Sequence, residues 1–404
     1  MIENYQLITE LVEKYGSPFY LFNEKEFIEN YHDLYNTFSK YYSKYNISYS
    51  LKTNYTPYIV SLVKKCGGYA EVVSGMEYYI AKKVGYDDNK IIFNGPNKGK
   101  DGIQAFLNGC ILNVDNLKEL STLCEVAKEH SSKDFEIGIR VNIDVGQNFI
   151  SRFGIDLEQV EEAVDMIKKV PNIKLIGLHC HISRCRDKEA WARRTDIMLA
   201  LADKYFKQPP KYIDLGSGMF GKMDKEFAEQ FDNIPTYQEY ATVVAKKFAE
   251  HYKENMEESP ILFTEPGTTL VNKYIDFVAR VDCIKKIREK YFAVLDCSEH
   301  NLGETCTLKE LPIRICKNGT QEVYEKLDFT GYTCLEQDVM RKDYSGELAV
   351  GDYVIFGNVG GYSNVLKPPF IKPNCQMLTI DRLGESKIIK RKESYDDILS
   401  TYEF

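Results

Sequence analysis

Lys52 directly follows a short β-prone run, residues 47–50, where a lysine can take part in chemistry. An amine at the end of a buried strand is partly desolvated, which lowers its pKa and makes it a nucleophile towards a carbonyl carbon. The alternative is a solvated lysine that opens a helix, and the position alone favours neither. Lys52 is therefore a candidate for covalent catalysis.

Two histidines end another apolar run, residues 175–181. On a strand, His179 and His181 would point to one face and Cys180 to the other, because successive side chains alternate. We expect the histidine face to be the interior of a barrel, with His181 nearer the mouth. His179 alone is also consistent with a hydrogen-bonded core histidine.

Glu265 ends a further apolar run and is followed by Pro266 and Gly267. A carboxylate held in this way could keep the proton on a pyridine nitrogen, which is how a protein strengthens pyridoxal phosphate as an electron sink. The alternative is a buried acid that is paired within the protein. The residue alone does not decide between these two roles.

Gly216, Ser217 and Gly218 form a glycine turn after the run at residues 212–215. Glycines allow backbone N–H groups to approach a phosphate group closely. Because such turns are common in proteins, this one is a weak indication of a phosphate site when taken by itself.

Eight apolar runs end in polar or glycine-bearing tips and alternate with helix-length segments. They are residues 47–50, 69–74, 91–95, 111–115, 137–142, 175–181, 212–216 and 261–267. This alternation predicts an α/β fold with a (β/α)8 barrel of the TIM type, whose chemistry gathers at the carboxyl ends of its parallel strands. Lys52, His181 and Glu265 all fall at such ends, so the pattern predicts one cofactor site.

After about residue 274 the pattern becomes strand-like, with turn formers such as residues 317–319 and 350–352 between the runs. This predicts a second, mostly antiparallel β domain, a sandwich or a barrel, to which residues 18–22 could add a strand. We therefore predict a cofactor-binding barrel at residues 25–274 and a β domain formed by residues 1–24 and 275–404.

The composition is that of an ordinary globular protein, with 404 residues, 44% hydrophobic and 28% charged. The net charge of −8 is spread along the chain and excludes an obvious nucleic-acid surface. Neither a secretory signal nor a run of roughly 20 apolar residues occurs, so we expect a cytoplasmic protein without membrane contact. The eleven cysteines indicate reduced thiols. A zinc site at Cys180 and Cys185 is conceivable, but we expect no metal.

In their order and spacing these motifs resemble the alanine-racemase-type barrel decarboxylases that use pyridoxal 5'-phosphate, the group that includes diaminopimelate and ornithine decarboxylases. The resemblance extends from about Gly16 to Tyr362, with minor motif matches at residues 71–75, 94–98 and 151–154. It implies that Lys52 is the Schiff-base lysine of the family's tyrosine-x-x-lysine-x-asparagine motif.

The resemblance also implies roles for the other residues. His181 would stack on the cofactor ring, and Glu265 would meet the pyridine nitrogen. The remaining implied cofactor residues are Gly216, Ser217 and Gly218 of the phosphate loop, Gly267 of the Glu-Pro-Gly motif, and Tyr362, which would touch the phosphate. Cys334 occupies the place of a cysteine that the partner subunit donates, so the resemblance implies a homodimer with shared active sites.

Several positions depart from the family's pattern, and they concern the substrate. Thr268 stands where the family has an arginine after Glu-Pro-Gly, which removes a fixed cation. Arg184 stands in place of the family's phosphate-binding serine, and we hypothesise that it restores this charge. Our alignment places Glu304 where the family has an arginine for a distal carboxylate. It also places Leu335 where diaminopimelate decarboxylases have a glutamate, with Glu336 next along.

These departures argue against a substrate with a distal carboxylate, since burying one carboxylate beside another is unfavourable by several kcal/mol. We expect decarboxylation of a basic amino acid or a specialised amino-acid intermediate, with Glu304 and Glu336 at the substrate. Lys52 would bind the cofactor as an aldimine, and Cys334 or a water beside it would reprotonate the product.

Other activities remain open from the sequence. They are ordinary diaminopimelate decarboxylation with Glu304 exposed to solvent, a racemase on the same scaffold that uses Cys334, an inactive homologue, and a cofactor-free barrel enzyme.

Overall fold

The computed structural model describes residues 5–146, 150–317 and 319–404, apart from the side chain of Glu304. The strands of the described residues are β1 (Phe19–Asn23), β2 (Tyr45–Ser50), β3 (Tyr69–Val72), β4 (Ile91–Phe93), β5 (Ile111–Val114), β6 (Phe135–Asn142), β7 (Ile155–Asp156), β8 (Ile173–His179), β9 (Tyr212–Asp214), β10 (Ile261–Thr264), β11 (Ile275–Ile287), β12 (Lys290–Leu295), β13 (Ile313–Cys316), β14 (Glu322–Thr330), β15 (Val339–Leu348), β16 (Tyr353–Phe356), β17 (Gln376–Ile380) and β18 (Ser386–Lys390).

The α-helices of the same residues follow in chain order. They are α1 (Tyr5–Tyr15), α2 (Glu24–Ser39), α3 (Pro57–Lys65), α4 (Gly75–Val84), α5 (Gly99–Asn108), α6 (Leu117–Glu129), α7 (Val160–Lys168), α8 (Lys188–Tyr205), α9 (Lys225–Ala228), α10 (Tyr237–Val243), α11 (Ala245–His251), α12 (Thr268–Val271), α13 (Glu299–Leu302), α14 (Glu304–Leu308) and α15 (Tyr395–Leu399). Within the described ranges, none of them is both long enough and apolar enough to span a membrane.

A closed ring of eight parallel strands forms the core of one compact unit, Asn30–Phe220 with Asn233–Thr269. The strand order is β5-β4-β3-β2-β10-β9-β8-β6, and pairing of β5 with β6 closes the ring. All eight predicted runs lie on these strands, so the predicted barrel is confirmed. The strands are short and apolar because helices cover the outside of a parallel barrel and side chains fill its inside.

Two glycines inside the barrel make room for one large ring. A Cβ at Gly138 in β6 would lie 2.0 Å from the Tyr212 hydroxyl, and one at Gly177 in β8 would lie 2.3 Å from Tyr212 Cζ. The Tyr212 ring therefore occupies the space that two ordinary side chains would have filled.

The other compact unit comprises the chain up to Glu29, Gly221–Asp232 and Leu270–Phe404. Its sheet has the order β15-β14-β12-β11-β1-β17-β18, and β16 joins β11 to β13. All pairs are antiparallel except β1 with β17 and β12 with β14, so the mostly antiparallel β domain is confirmed. The strand expected at residues 18–22 is β1, which pairs with β11. The exact domain boundaries stay a prediction.

Some elements differ from the sequence-based expectation. Residues 240–252 are amphipathic at helical spacing, yet they belong to two helices, α10 and α11, which are separated at Val244 (φ −113°, ψ −80°). The long strands β14 and β15 were not predicted. Most of their exposed residues are charged and their pairing contains bulges, which obscures the alternation that identifies a strand.

Candidate active site

Lys52 lies in a short 3-10 turn, Leu51–Thr53, at the carboxyl end of β2. Its Nζ donates to Glu71 Oε2 at 2.5 Å and to Ser50 Oγ at 2.7 Å. The lysine side chain is 28% exposed, whereas Glu71 is 1% exposed. Lys52 therefore lies at a strand end as expected, with its amine ion-paired to a buried carboxylate and still accessible to a small molecule.

Glu265 lies at the carboxyl end of β10 and is almost completely buried. Asn94 Nδ2 donates to its Oε1 at 2.5 Å, and His181 Nδ1 lies 3.1 Å from its Oε2. His179 Nε2 lies 3.4 Å from Oε1. Asn94 Nδ2 also reaches Glu71 Oε1 at 3.3 Å, so contacts run without interruption from Lys52 to Glu265.

A buried relay orients the Asn94 amide towards these two carboxylates. Asn113 Nδ2 donates to Asn94 Oδ1 at 2.9 Å, and the Tyr212 hydroxyl donates to Asn113 Oδ1 at 2.7 Å. With its oxygen engaged, Asn94 must direct its NH₂ group at Glu71 and Glu265. In the sequence, Asn94 and Glu71 belonged only to minor motif matches with the family. No sequence signal identified Asn113 or Tyr212.

The pKa values of two buried carboxyl groups in the site are shifted in opposite directions. Burial alone would raise the pKa of Glu265, but the neighbouring His179 and His181 outweigh it and hold that pKa well below its usual range. Burial, and next the charge of Glu265, raise the pKa of Asp214 well above its ordinary value. The histidines thus favour the ionised form of Glu265, whereas burial and the charge of Glu265 favour the protonated form of Asp214.

Burial lowers the pKa of His181 to about 4, so its imidazole is neutral near pH 7. An unfolded chain takes up a proton on this ring near pH 6.5, whereas the folded chain does so only near pH 4. Stability should therefore fall as the pH is lowered through this window, and the loss from this group should end below about pH 4.

We expect cofactor-free His181→Gln to lose less thermal stability than wild type between pH 6.5 and pH 4. Melting temperatures measured across this range test the prediction, with the exposed His32→Gln as the matched control. Parallel pH profiles for wild type and His181→Gln would contradict it.

The glycine turn after β9 packs directly on the backbone that follows β8. A Cβ at Gly216 (φ 62°) would lie 2.4 Å from the Cys180 carbonyl oxygen, and one at Gly218 (φ 101°) would lie 2.3 Å from that of Ile182. The Ser217 N–H lies 3.4 Å from His181 Nδ1. Only glycine fits at the two flanking positions, and the turn lies next to the His181 ring.

The Glu-Pro-Gly segment packs on the turn that carries Lys52. A Cβ at Gly267 would lie 2.0 Å from Thr53 Oγ1, and the Ser50 N–H donates to the Pro266 carbonyl oxygen at 3.4 Å. A side chain at Gly267 would therefore displace the Lys52 turn. Of the two positions predicted to differ in charge, Arg184 is exposed and Thr268 is the first residue of α12.

His179, His181 and Glu265 also form a group of potential metal ligands, whose donor atoms lie within 4.8 Å of one another. Cys180 and Cys185, the conceivable zinc ligands, are not members of this group. The same three side chains equally suit a protonated ring nitrogen, because an ionised carboxylate flanked by neutral imidazoles is an acceptor for an N–H group.

The other compact unit carries the predicted residues Cys334 and Glu336, both exposed, in the segment between β14 and β15. The buried Asp338 anchors this segment, since its carboxylate accepts from the Thr333 N–H at 3.1 Å and from the Glu299 N–H at 2.8 Å. The segment with Cys334 is thereby joined to the start of α13.

Tyr362, in the same unit, has a left-handed backbone (φ 54°), which is uncommon outside glycine. A Cβ at Gly303 would lie 2.4 Å from the Tyr362 carbonyl oxygen. Since α14 begins at the next residue, Glu304, the start of this helix lies against the backbone of Tyr362. The side chain of Glu304 lies outside the described residues.

Comparison with known proteins gives a consistent result. Residues 27–272 match the family profile described as pyridoxal-dependent decarboxylase, pyridoxal binding domain. A diaminopimelate decarboxylase of Aquifex aeolicus is 27% identical over 97% of this chain and 93% of its own length, and one of Methanothermobacter thermautotrophicus is 26% identical over 96% and 92%. The crystal structure of a diaminopimelate decarboxylase from M. jannaschii, 25% identical, matches with a TM-score of 0.85 over 98% of this chain and 94% of that one.

Proposed function

The chain belongs to the pyridoxal-dependent decarboxylase family, and from this premise we propose that it decarboxylates a basic or specialised amino acid rather than diaminopimelate. It is a pyridoxal-phosphate-dependent carboxy-lyase that acts on an amino acid, as predicted. The observation that carries the finer proposal is the packing of Gly303, the residue before α14, against the backbone of Tyr362, a predicted cofactor residue.

The residues present fit this cofactor. The ionised, buried Glu265 suits the ring nitrogen, the neutral His181 suits the face of the ring, and the glycine turn beside it suits the phosphate. When bound, pyridoxal phosphate supplies a conjugated ring that accepts the electron pair of the bond to the departing carboxylate. Lys52 would hold the cofactor.

Each residue then has a definite task. Glu71 Oε2 lies 2.5 Å from the Lys52 Nζ and would accept a proton that leaves the ammonium, which frees the amine for attack. Glu265 would keep a proton on the ring nitrogen, which strengthens the ring as an electron acceptor. His181, neutral because burial lowers its pKa to about 4, would contact the ring without adding a positive charge.

Cys334, which is exposed, would return a proton to the substrate carbon. We propose that it does so in the active site of a second copy, so that the protein acts as a homodimer. All eleven cysteines are free, which fits the reducing cytoplasm in which we expect the enzyme.

The substrate proposal rests on charge. The matched relatives are named for diaminopimelate, which carries a distal carboxylate. In this chain Thr268 replaces the arginine that follows Glu-Pro-Gly in the family. Our alignment places Glu304 where the family has a second arginine. A distal ammonium group would pair with Glu304, whereas a distal carboxylate would be repelled by it.

Carbon dioxide release by cofactor-loaded enzyme from lysine, ornithine, arginine and diaminopimelate tests this proposal. We expect a basic amino acid to exceed diaminopimelate by at least about tenfold in kcat/KM, and Glu304→Gln to remove most of that preference. Glu385→Gln, an exposed position in the β17–β18 turn, is the matched control.

Preference for diaminopimelate would contradict the proposed substrate while leaving the decarboxylase assignment intact. Exchange of the α-hydrogen without carbon dioxide release would instead favour a racemase.

A further inference from the structure

Arg194, in the middle of α8, is completely buried and was not singled out from the sequence. Its Nη1 donates to the carbonyl oxygens of Leu215 and Ser217 at 2.9 and 2.8 Å, and its Nη2 donates to that of Ile182 at 2.9 Å. The guanidinium lies 4.0 Å from the Trp191 ring. One buried cation thus holds both backbone segments that form the predicted phosphate site.

These three bonds determine where the neighbouring N–H groups point. In a trans peptide the carbonyl and the N–H point in opposite directions. Because the Ser217 and Ile182 carbonyls face Arg194, the N–H groups of Gly218 and Ser183 face away from it. Neither N–H has a hydrogen-bond partner within residues 5–146, 150–317 and 319–404. The two segments are in contact, since a Cβ at Gly218 would lie 2.3 Å from the Ile182 oxygen.

Arg194 also has unbalanced charge. No ion pair of the described residues includes it, and its Nε has no hydrogen-bond partner among them. A guanidinium stays protonated in proteins, and a buried charge without a counter-ion is unfavourable. The three carbonyls offset part of this penalty, and an anion on the other side of the loop would offset more.

We propose that Arg194 is the positioning residue for the cofactor phosphate, in that it orients the Gly218 and Ser183 N–H groups and supplies a fixed positive charge behind them. The inference rests on the proposed function, in which residues 216–218 bind the phosphate. It assigns the compensating charge to a buried arginine of the barrel rather than to the exposed Arg184. Arg194 need not touch the phosphate itself.

The test compares the affinity of cofactor-free protein for pyridoxal phosphate with its affinity for pyridoxal, which lacks the phosphate. Trp191 is the single tryptophan of the chain and contacts Arg194, so its fluorescence should respond to binding. Arg194→Lys keeps the positive charge but loses the several N–H donors of the guanidinium. We expect it to weaken the binding of pyridoxal phosphate by about tenfold or more. Its affinity for pyridoxal should change by less than about threefold.

Two matched variants accompany Arg194→Lys. Arg193→Lys changes the adjacent exposed arginine, whose Nε donates to the Val145 carbonyl at 2.8 Å, and should keep the wild-type preference for the phosphate form. Arg184→Ala should also keep the preference for the phosphate form. The hypothesis that Arg184 restores the charge lost at Thr268 instead expects this variant to lose that preference.

Retention of the full preference in Arg194→Lys overturns the inference, and so does an equal loss of affinity for both ligands, which indicates a structural role alone. If the wild-type protein binds pyridoxal as tightly as pyridoxal phosphate, residues 216–218 do not bind the phosphate. That result would overturn the part of the proposed function on which the inference rests.

A second measurement needs no variant and applies if Arg194→Lys does not fold. Inorganic phosphate added to cofactor-free wild type should change the Trp191 emission saturably, and pyridoxal phosphate should compete with it. An emission that phosphate does not alter contradicts an anion site on the loop in front of Arg194.

Discussion

Lys52→Ala should lower carbon dioxide release by on the order of 10⁴-fold, because the variant lacks the amine that would hold the cofactor. The variant should still fold, since Glu71 keeps Ser50 and Asn94 as hydrogen-bond donors. Borohydride reduction followed by peptide mass mapping gives a second readout. Wild type should carry the reduced cofactor at Lys52, and the variant should carry none.

Lys65→Ala serves as the matched control, since Lys65 is an exposed lysine at the end of α3. It should keep both the activity and the label. If the label appears on another lysine, or if Lys52→Ala keeps a substantial rate, the assignment of Lys52 is wrong even though the family assignment stands.

Glu265→Gln should lower kcat by about 10²–10³-fold, because an amide cannot hold a proton on the ring nitrogen as a carboxylate does. The covalent attachment at Lys52 should persist, which separates a loss of electron withdrawal from a loss of cofactor. The measurements are kcat and borohydride labelling of the same preparation.

Asp214→Asn provides the contrast within the same pocket. Burial and the charge of Glu265 raise the pKa of Asp214 well above its ordinary value, so the neutral form, which an asparagine resembles, is the favoured one. An asparagine oxygen can also keep the bond from the Gly216 N–H, which is 2.8 Å long. We expect its kcat to change by less than about tenfold. Equal losses in the two variants would contradict the opposite pKa shifts of the two carboxyl groups.

The barrel and the positions of its main chemical groups could be predicted from the sequence, because both depend on local patterns. Each barrel strand is a short apolar run, and a residue at the end of a run stays at the end of the strand after folding. Lys52, His181, Glu265 and the glycine turn lie at such ends in the structure. Their roles, which the family resemblance supplied, stay predictions.

The partners of those residues depend on contacts between segments that are distant in the chain. Asn94 reaches Glu265 from 171 positions away, and the Tyr212 hydroxyl reaches Asn113 from 99 positions away. Nothing in the local pattern of one strand specifies which side chain of another strand it will meet. The opposite pKa shifts of Glu265 and Asp214 follow from such contacts, so they too were decided by the fold.

Arg193 and Arg194 show the same division most clearly. They are adjacent arginines in the sequence, yet one is exposed and the other is completely buried. Consecutive residues of a helix point about 100° apart, so only the docking of α8 decides which of them faces the interior. The sequence by itself determined the barrel and the strand-end groups. The tertiary structure decided which arginine holds the glycine turn, because burial is a property of packing.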